Sequence, residues 1–264
     1  MVQEKSSQAI LRESPALQFR SVVLVFAKPP EPGRVKTRLL SLLTPKKAAS
    51  LHRACIADTI AKITNVPGCR KWLRVAACPD RAQELGRELQ LTRRWHVGIQ
   101  HGRDLGTRLE EAFQSVFRSG FQKVIVVGTD TPWMDSNLVL RAMQTLRTAD
   151  TVIGPTVDGG YYLIGARRFI PAMFWNIPWG TSQVLDRTLA AIRKAHASCR
   201  LMRRDFDLDR PADFKRAQKM LRENKNRAAT LARWMVEWEL DEIIESSRRR
   251  RRRRPSKRRR PVRV

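Results

Sequence analysis

The sequence predicts an α/β chain folded around a doubly wound, mostly parallel sheet, and three observations carry that expectation. Apolar, β-branched runs of strand length recur, most plainly at 22–27 and 124–127, without the polar alternation of a half-exposed strand. Between such runs lie longer stretches in which apolar residues return with the period of a helix. Strand and helix signals alternate along the chain instead of clustering by type, the order that sets parallel strands side by side with helices over both faces.

Residues 1–20 have no strong period and read as a loose N-terminal extension. The first strand is expected at 21–27, followed by a Pro- and Gly-rich loop at 28–33. Thr44 then reads as an N-cap with Pro45 at the first helical position, opening a helix to about 63. Leu51, Cys55, Ile56, Thr59, Ile60 and Ile63 share one face of it. A strand at 72–77, a short helix capped by Asp80 and a strand at 95–100 come next. Asp104 opens a helix carrying Leu105, Leu109, Ala112, Phe113, Val116 and Phe117 at helical spacing. A strand at 123–127 follows, and Asp135 caps a helix to about 146. Strands at 151–154 and 161–165 flank an Asp-Gly-Gly turn, a helix covers 182–195, a short strand lies near 201, and Pro211 opens another helix. The main domain is thus expected over 21–223, with a C-terminal amphipathic helix in 224–247 and a disordered Arg-rich tail over 248–264. Leu231, Trp234, Met235 and Trp238 form a stripe on that helix suited to core packing or a partner face.

The 264 residues suit one large domain with appendages, and an apolar fraction of 42% is ample for its core. No apolar run approaches the roughly eighteen residues of a membrane-spanning helix, and none near the N-terminus resembles a signal peptide. A cytoplasmic location is the resulting expectation. Four cysteines without a Cys-x-x-Cys pair and four histidines without ligand spacing argue against a disulfide framework or a zinc site, leaving buried free thiols. The formal charge of +27 is exaggerated by the segment 248–264, which holds twelve basic residues and no acidic ones. Without it, 40 basic residues face 25 acidic ones, still +15, so the body itself favours anionic partners.

Four segments bear chemistry. Lys28-Pro-Pro-Glu-Pro-Gly-Arg-Val-Lys-Thr-Arg-Leu39 sets Lys28, Arg34, Lys36 and Arg38 around Gly33 and Thr37 just after the first strand, where open α/β sheets bind ligands. Glycine allows close approach of the backbone, and lysine and arginine supply charge and forked donors for phosphate oxygens. The spacing is not that of a Walker A loop. Gly128-Thr-Asp-Thr-Pro132 puts Asp130 just past a buried strand, suited to Mg²⁺ or Mn²⁺ shared with substrate phosphates. Asp158-Gly159-Gly160 is first of all a hairpin turn. Asp205, Asp207 and Asp209 alternate, which would gather three carboxylates on one side of an extended strand and call for a cation, although Asp209 also stands where a helix cap is needed. Arg108 in Gly102-Arg-Asp-Leu-Gly106-Thr-Arg108 would line a phosphate or base pocket or simply start a helix, and Trp179 would be a pocket rim or core packing.

In order along the chain, these residues resemble the DUF2064 family of nucleotide-diphospho-sugar transferase (GT-A) fold. The resemblance rests on Lys-x-Pro-x-x-Gly-x-x-Lys-Thr-Arg-Leu at 28–39, Asp-Leu-Gly-x-Arg at 104–108, Gly-Thr-Asp-x-Pro at 128–132, Gly-Pro-x-x-Asp-Gly-Gly-Tyr-Tyr at 154–162, Trp-x-Thr at 179–181 and the acidic run at 207–213. It covers about 21–220 and departs at Thr107, where the family pattern has an acidic residue. It implies a GT-A-like transferase domain, a nucleotide or nucleotide-sugar ligand with a small acceptor, and a divalent ion. Members often carry the label glycosyltransferase, some with a suggested role in arsenosugar formation; the first loop and the late acidic motif also resemble nucleotidyltransferases that activate small phospho-acids.

The expected site therefore has Lys28, Gly33, Arg34, Lys36, Thr37, Arg38 and Arg108 on the phosphates, and Asp130 and Asp209 on Mg²⁺ or Mn²⁺ with Asp207 in reserve. Asp130 and Asp158 are the catalytic carboxylates, and Gly159, Gly160 and Trp179 shape the acceptor side. Glycosyl transfer from a nucleotide-sugar is the first reading and nucleotidyl transfer with release of pyrophosphate the alternative. A lesser alternative is a non-catalytic nucleic-acid-binding module, with the Arg-rich tail holding nucleic acid or another anionic surface without sequence choice.

Overall fold

A computed structural model describes the backbone of residues 20–253 and the side chains of residues 20–245. The expected extension at 1–19 and tail residues 254–264 lie outside the described residues. Seven strands form one sheet: β1 (Ser21–Ala27), β2 (Arg70–Val75), β3 (Trp95–Ile99), β4 (Lys123–Val127), β5 (Thr151–Pro155), β6 (Tyr161–Ala166) and β7 (Cys199–Leu201). Their spatial order is β3-β2-β1-β4-β6-β5-β7, and only β6 runs against its neighbours. The doubly wound, mostly parallel sheet is therefore present, with one reversed strand supplied by the turn between β5 and β6.

Alternate residues of each central strand go to opposite layers, as the pleat requires. Val23, Val25, Ile125 and Val127 face α1 (Pro45–Thr64), α2 (Pro79–Glu88) and α4 (Ser136–Thr145). Val22, Leu24, Val124 and Val126 face α3 (Leu105–Arg118) and α5 (Val184–Lys194). A third core lies behind α1, where Leu51, Ala54 and Cys55 meet α6 (Pro211–Glu223) and α7 (Ala229–Arg253). α1 thus buries two faces: Ile56, Ile60 and Ile63 toward the sheet, Leu51 and Cys55 away from it. Its Asp58, 4% exposed, reaches across to accept the backbone N–H groups of Thr230 and Leu231 at 2.9 and 2.8 Å, a carboxylate cap on the first turn of α7.

Several local expectations are met and several are moved. Thr44 caps α1 through Lys47 N, Asp135 caps α4 through Asn137 N, and Asp104 caps α3. Asp80 is not a cap: Pro79 occupies the first helical position of α2 and Asp80 falls in its first turn. The second strand begins two residues earlier than expected, at Arg70. Leu231, Trp234 and Met235 are core, so α7 belongs to the same body as the domain, not to a separate appendage. The disordered tail expected from 248 is corrected at its start, because α7 continues to Arg253; arginine is a good helix former and the helix propagates from already packed turns. Cys55 and Cys69 are buried free thiols, whereas Cys78 is exposed at the start of α2, and no described helix is long and apolar enough to cross a membrane.

Candidate functional site

The carboxyl ends of β1 and β4 and the amino end of reversed β6 meet at one edge of the sheet, and a cleft of about 600 Å³ opens there. Lys28, Arg34, Thr37 and Arg38 from the loop after β1, and Arg108 from α3, contribute its cationic and hydroxyl lining. Asp130 and Asp209 contribute carboxylates. Phe26, Leu105, Leu109, Val126, Tyr161 and Ile164 give the remaining wall an apolar surface.

The loop after β1 turns at Gly33 with φ 77, a left-handed conformation that glycine adopts without strain, but Gly33 itself is not on the cleft wall. Arg34 is 81% exposed at its side chain and lies 3.4 Å from Glu31. Lys36 differs from the exposed phosphate ligand the sequence suggests. Its φ of 50 turns the side chain inward, only 3% of it remains exposed, and Nζ donates at 2.5 Å both to Asp130 Oδ1 and to the Leu208 carbonyl. Leu208 N in turn donates to Asp130 O at 2.8 Å. Lys36, Asp130 and Leu208 therefore close a ring that ties the first loop to the segment after β4 and to the late acidic segment.

The three late carboxylates do not share a strand face. Only Asp205 makes an isolated bridge, to Thr156, and each side chain finds its own partner. Asp205 accepts from Trp133 Nε1 at 3.0 Å, Asp207 from Thr131 Oγ1 at 2.6 Å, and Asp209 from Arg38 Nη1 at 2.5 Å. Asp209 is thus engaged by the cation expected to hold phosphate. Asp158 lies off the cleft wall, and its Oδ1 accepts from Thr156 Oγ1 at 2.6 Å and Gly160 N at 3.1 Å. Gly159 packs against the backbone before α5, and its carbonyl accepts from Leu185 N at 2.9 Å. Trp179 stands behind the wall, edge-on to Tyr161 with ring centroids 6.2 Å apart. Arg108 holds the Gly102 carbonyl through Nε at 2.8 Å while lining the cleft. Thr107, the departure from the family pattern, completes the α3 cap: its N–H goes to Asp104 Oδ1 at 2.8 Å and its Oγ1 receives Asp104 N at 3.2 Å.

Electrostatics divide the cleft floor. Burial opposes charge on Lys36, yet Asp130 more than offsets it and holds the ammonium above its ordinary value. Partial desolvation pushes Asp130, half exposed at its side chain, up, but Lys36 foremost outweighs it and keeps the carboxyl below the usual range. Asp207 behaves oppositely: burial, then the neighbouring charge of Asp130, push it up to about 7 against the Thr131 hydrogen bond, with Asp158 adding to the rise. Among the described residues no three His, Cys, Asp or Glu side chains form a cage for a metal. The carboxylates on the cleft wall are Asp130 and Asp209, and two carboxylates suit Mg²⁺ or Mn²⁺ when phosphates supply further oxygens. The donor set fits a jointly held ion and not a protein-only one.

One lining residue escaped the sequence reading. His52 of α1 is 4% exposed; its Nε2 lies 3.2 Å from the Lys28 carbonyl, and Nδ1 has no partner. Burial, then the Lys36 charge, outweigh Asp130 and lower it to about 4. A lone histidine among apolar helix residues gives no sequence signal for a contact with a carbonyl 24 residues away.

The family model described as uncharacterised proteins conserved in bacteria, DUF2064, matches residues 59–181. A solved protein from Desulfovibrio desulfuricans, provisionally named a nucleotide-diphospho-sugar transferase, is 30% identical with a TM-score of 0.77, over 86% of this chain and 98% of that one. The 4-diphosphocytidyl-2C-methyl-D-erythritol synthase of Anaerococcus prevotii aligns at 10% identity and TM-score 0.52, over 79% of this chain and 100% of its own. A cytidylyltransferase from Leptospira borgpetersenii aligns at 10% identity and TM-score 0.50, over 86% and 96%. These last two share the fold alone. No match to a protein of curated function was found.

Proposed function

The chain belongs to the DUF2064 family, within the nucleotide-diphospho-sugar transferase fold, and from that premise we propose that it is a divalent-metal-dependent glycosyltransferase drawing on a nucleotide-sugar donor. The observation that carries this reading is one cleft with a cationic lining and an acidic floor, at the carboxyl ends of β1 and β4. Lys28, Arg34 and Arg108 would meet the donor's phosphate oxygens, joined by Arg38 once it exchanges Asp209 for phosphate. Thr37 offers a hydroxyl beside them.

Asp130 and Asp209, the carboxylates on the cleft wall, would hold Mg²⁺ or Mn²⁺ once Arg38 leaves Asp209 for phosphate, with Asp207 in reserve. The ion supplies neutralisation of the charge that builds on the departing diphosphate. Lys36 serves by fixing Asp130, since its ammonium is already committed to Asp130 and Leu208. Asp158 acts through its charge on Asp207, and Gly159 and Gly160 by shaping the turn that carries it. On the acceptor side, Tyr161 and Leu105 would meet the acceptor, with Trp179 backing Tyr161.

Nucleotidyl transfer would use the same phosphate lining and differs in the bond broken. The test incubates the protein and Mg²⁺ or Mn²⁺ with nucleotide-sugars and with nucleoside triphosphates, each with a panel of small acceptors. Nucleoside diphosphate release dependent on an acceptor supports glycosyl transfer; pyrophosphate release from a triphosphate replaces it with nucleotidyl transfer. Neither product, with no nucleotide-dependent rise in Tm, would sink both.

A further inference from the structure

His52 sits where a purely packed residue would be apolar. The imidazole is 4% exposed, between the cleft and the third core, and Nδ1 is buried without a partner. An unpaired buried nitrogen costs about 1–3 kcal/mol relative to an apolar group of the same shape, so core filling alone does not account for histidine here. What the ring does supply is one directed contact. The Lys28 carbonyl can only accept, so Nε2 carries the proton and donates across 3.2 Å. The ring is neutral near pH 7, which keeps Nδ1 an acceptor and adds no charge beside Lys28 and Lys36.

Lys28 is the first residue beyond β1, and its exposed side chain lines the cleft. Prolines at 29 and 30 follow it and have no N–H to anchor the backbone. We infer that His52 is a positioning residue: by donating to the Lys28 carbonyl it fixes the direction in which the lysine leaves the strand, and so aims the ammonium at the diphosphate of the ligand. This rests on the reading of the cleft as a phosphate site, though not on which bond is broken. It also couples α1, which carries no cation onto the cleft wall, to anion binding.

The test uses the full chain and inorganic pyrophosphate with Mg²⁺, a probe that needs no knowledge of base or sugar. His52→Gln keeps a donor of similar reach, while His52→Leu fills the space without one. The expected result is a roughly tenfold weaker pyrophosphate affinity for Leu, from loss of a charge-assisted contact, and less than threefold for Gln. In a Lys28→Met background the Leu substitution should have no further effect, because the residue it aims is gone. His52→Leu binding pyrophosphate as tightly as the parent overturns the inference, as does an equal loss in the Lys28→Met background, which would report damage to the fold. A parent that does not bind pyrophosphate overturns it together with the phosphate site. A parent that binds it but turns over no nucleotide-sugar overturns the glycosyltransferase reading and leaves His52 in its role.

Discussion

Two glycine-bearing loops rise from the same end of the sheet and are put together on opposite terms. The loop after β1 turns at Gly33, where an added Cβ would meet nothing within 4 Å, and it spreads Lys28, Arg34, Thr37 and Arg38 along the cleft. The turn between β5 and β6 bends at Gly159, φ 90, where a Cβ would fall 2.0 Å from the Ser182 carbonyl oxygen. It spends its polar groups inward, with Asp158 Oδ1 receiving Thr156 and Gly160. Donors left over after the backbone is satisfied make a loop receptive to a ligand. Glycine and charge are shared by both loops and decide nothing.

The sharpest break of that contrast is steric. Gly159→Ala combines a left-handed φ with a collision against backbone and should cost about 2–5 kcal/mol in chemical unfolding. Gly33→Ala, with the same sign of φ and open space, should cost about 1–2 kcal/mol. Equal costs would end the distinction between closed and open loops. Next comes Asp130→Asn, whose amide oxygen still accepts from Lys36 and so should preserve the fold. It should abolish the divalent-dependent part of nucleotide stabilisation, whose total is about 2.7 kcal/mol at a hundredfold excess over Kd. A metal-dependent Tm shift equal to the parent's would remove Asp130 from the ion.

Arg38→Ala should weaken nucleotides by about 1.5–3 kcal/mol, with the loss growing from nucleoside to mono- to diphosphate. The same loss for all three in a titration series would assign Arg38 to the fold. Asp207, which feels both loops through Asp130 and Asp158, is read from a pH slope instead of a single loss. Its folded value of about 7 lies above 3.8, so between those pH values the folded state binds the proton more tightly than the unfolded chain. Stability should fall as pH rises through that window and level off above it, and Asp207→Asn should flatten the slope in unfolding curves from pH 4 to 8.

The sheet was legible because burial leaves unbroken apolar runs: β4 has the expected bounds, and Thr44, Asp104 and Asp135 cap as their types suggest. The cleft was legible as a position after β1 and β4, but not in its internal pairings. Nothing local says that Lys36 turns inward to a carbonyl 172 residues away, or that Arg38 meets Asp209. Those contacts are products of tertiary closure, and so is the link from His52 to Lys28. Thr107 illustrates the reverse case, a departure from pattern that keeps its physical task because a hydroxyl can complete the helix cap.

The carboxylate of Asp58 has a consequence for the order in which the molecule is made. Its two partners, Thr230 and Leu231, lie 172 and 173 residues further along the chain. At ordinary rates of synthesis they leave the ribosome roughly 10–30 s after α1. During that interval α1, which carries His52 toward the nascent cleft, exposes a carboxylate and the apolar surface of Leu51, Ala54 and Cys55. The packing behind α1 is therefore completed only by the last described helix, and a nascent chain halted before Ala229 would carry α1 on an unfinished support.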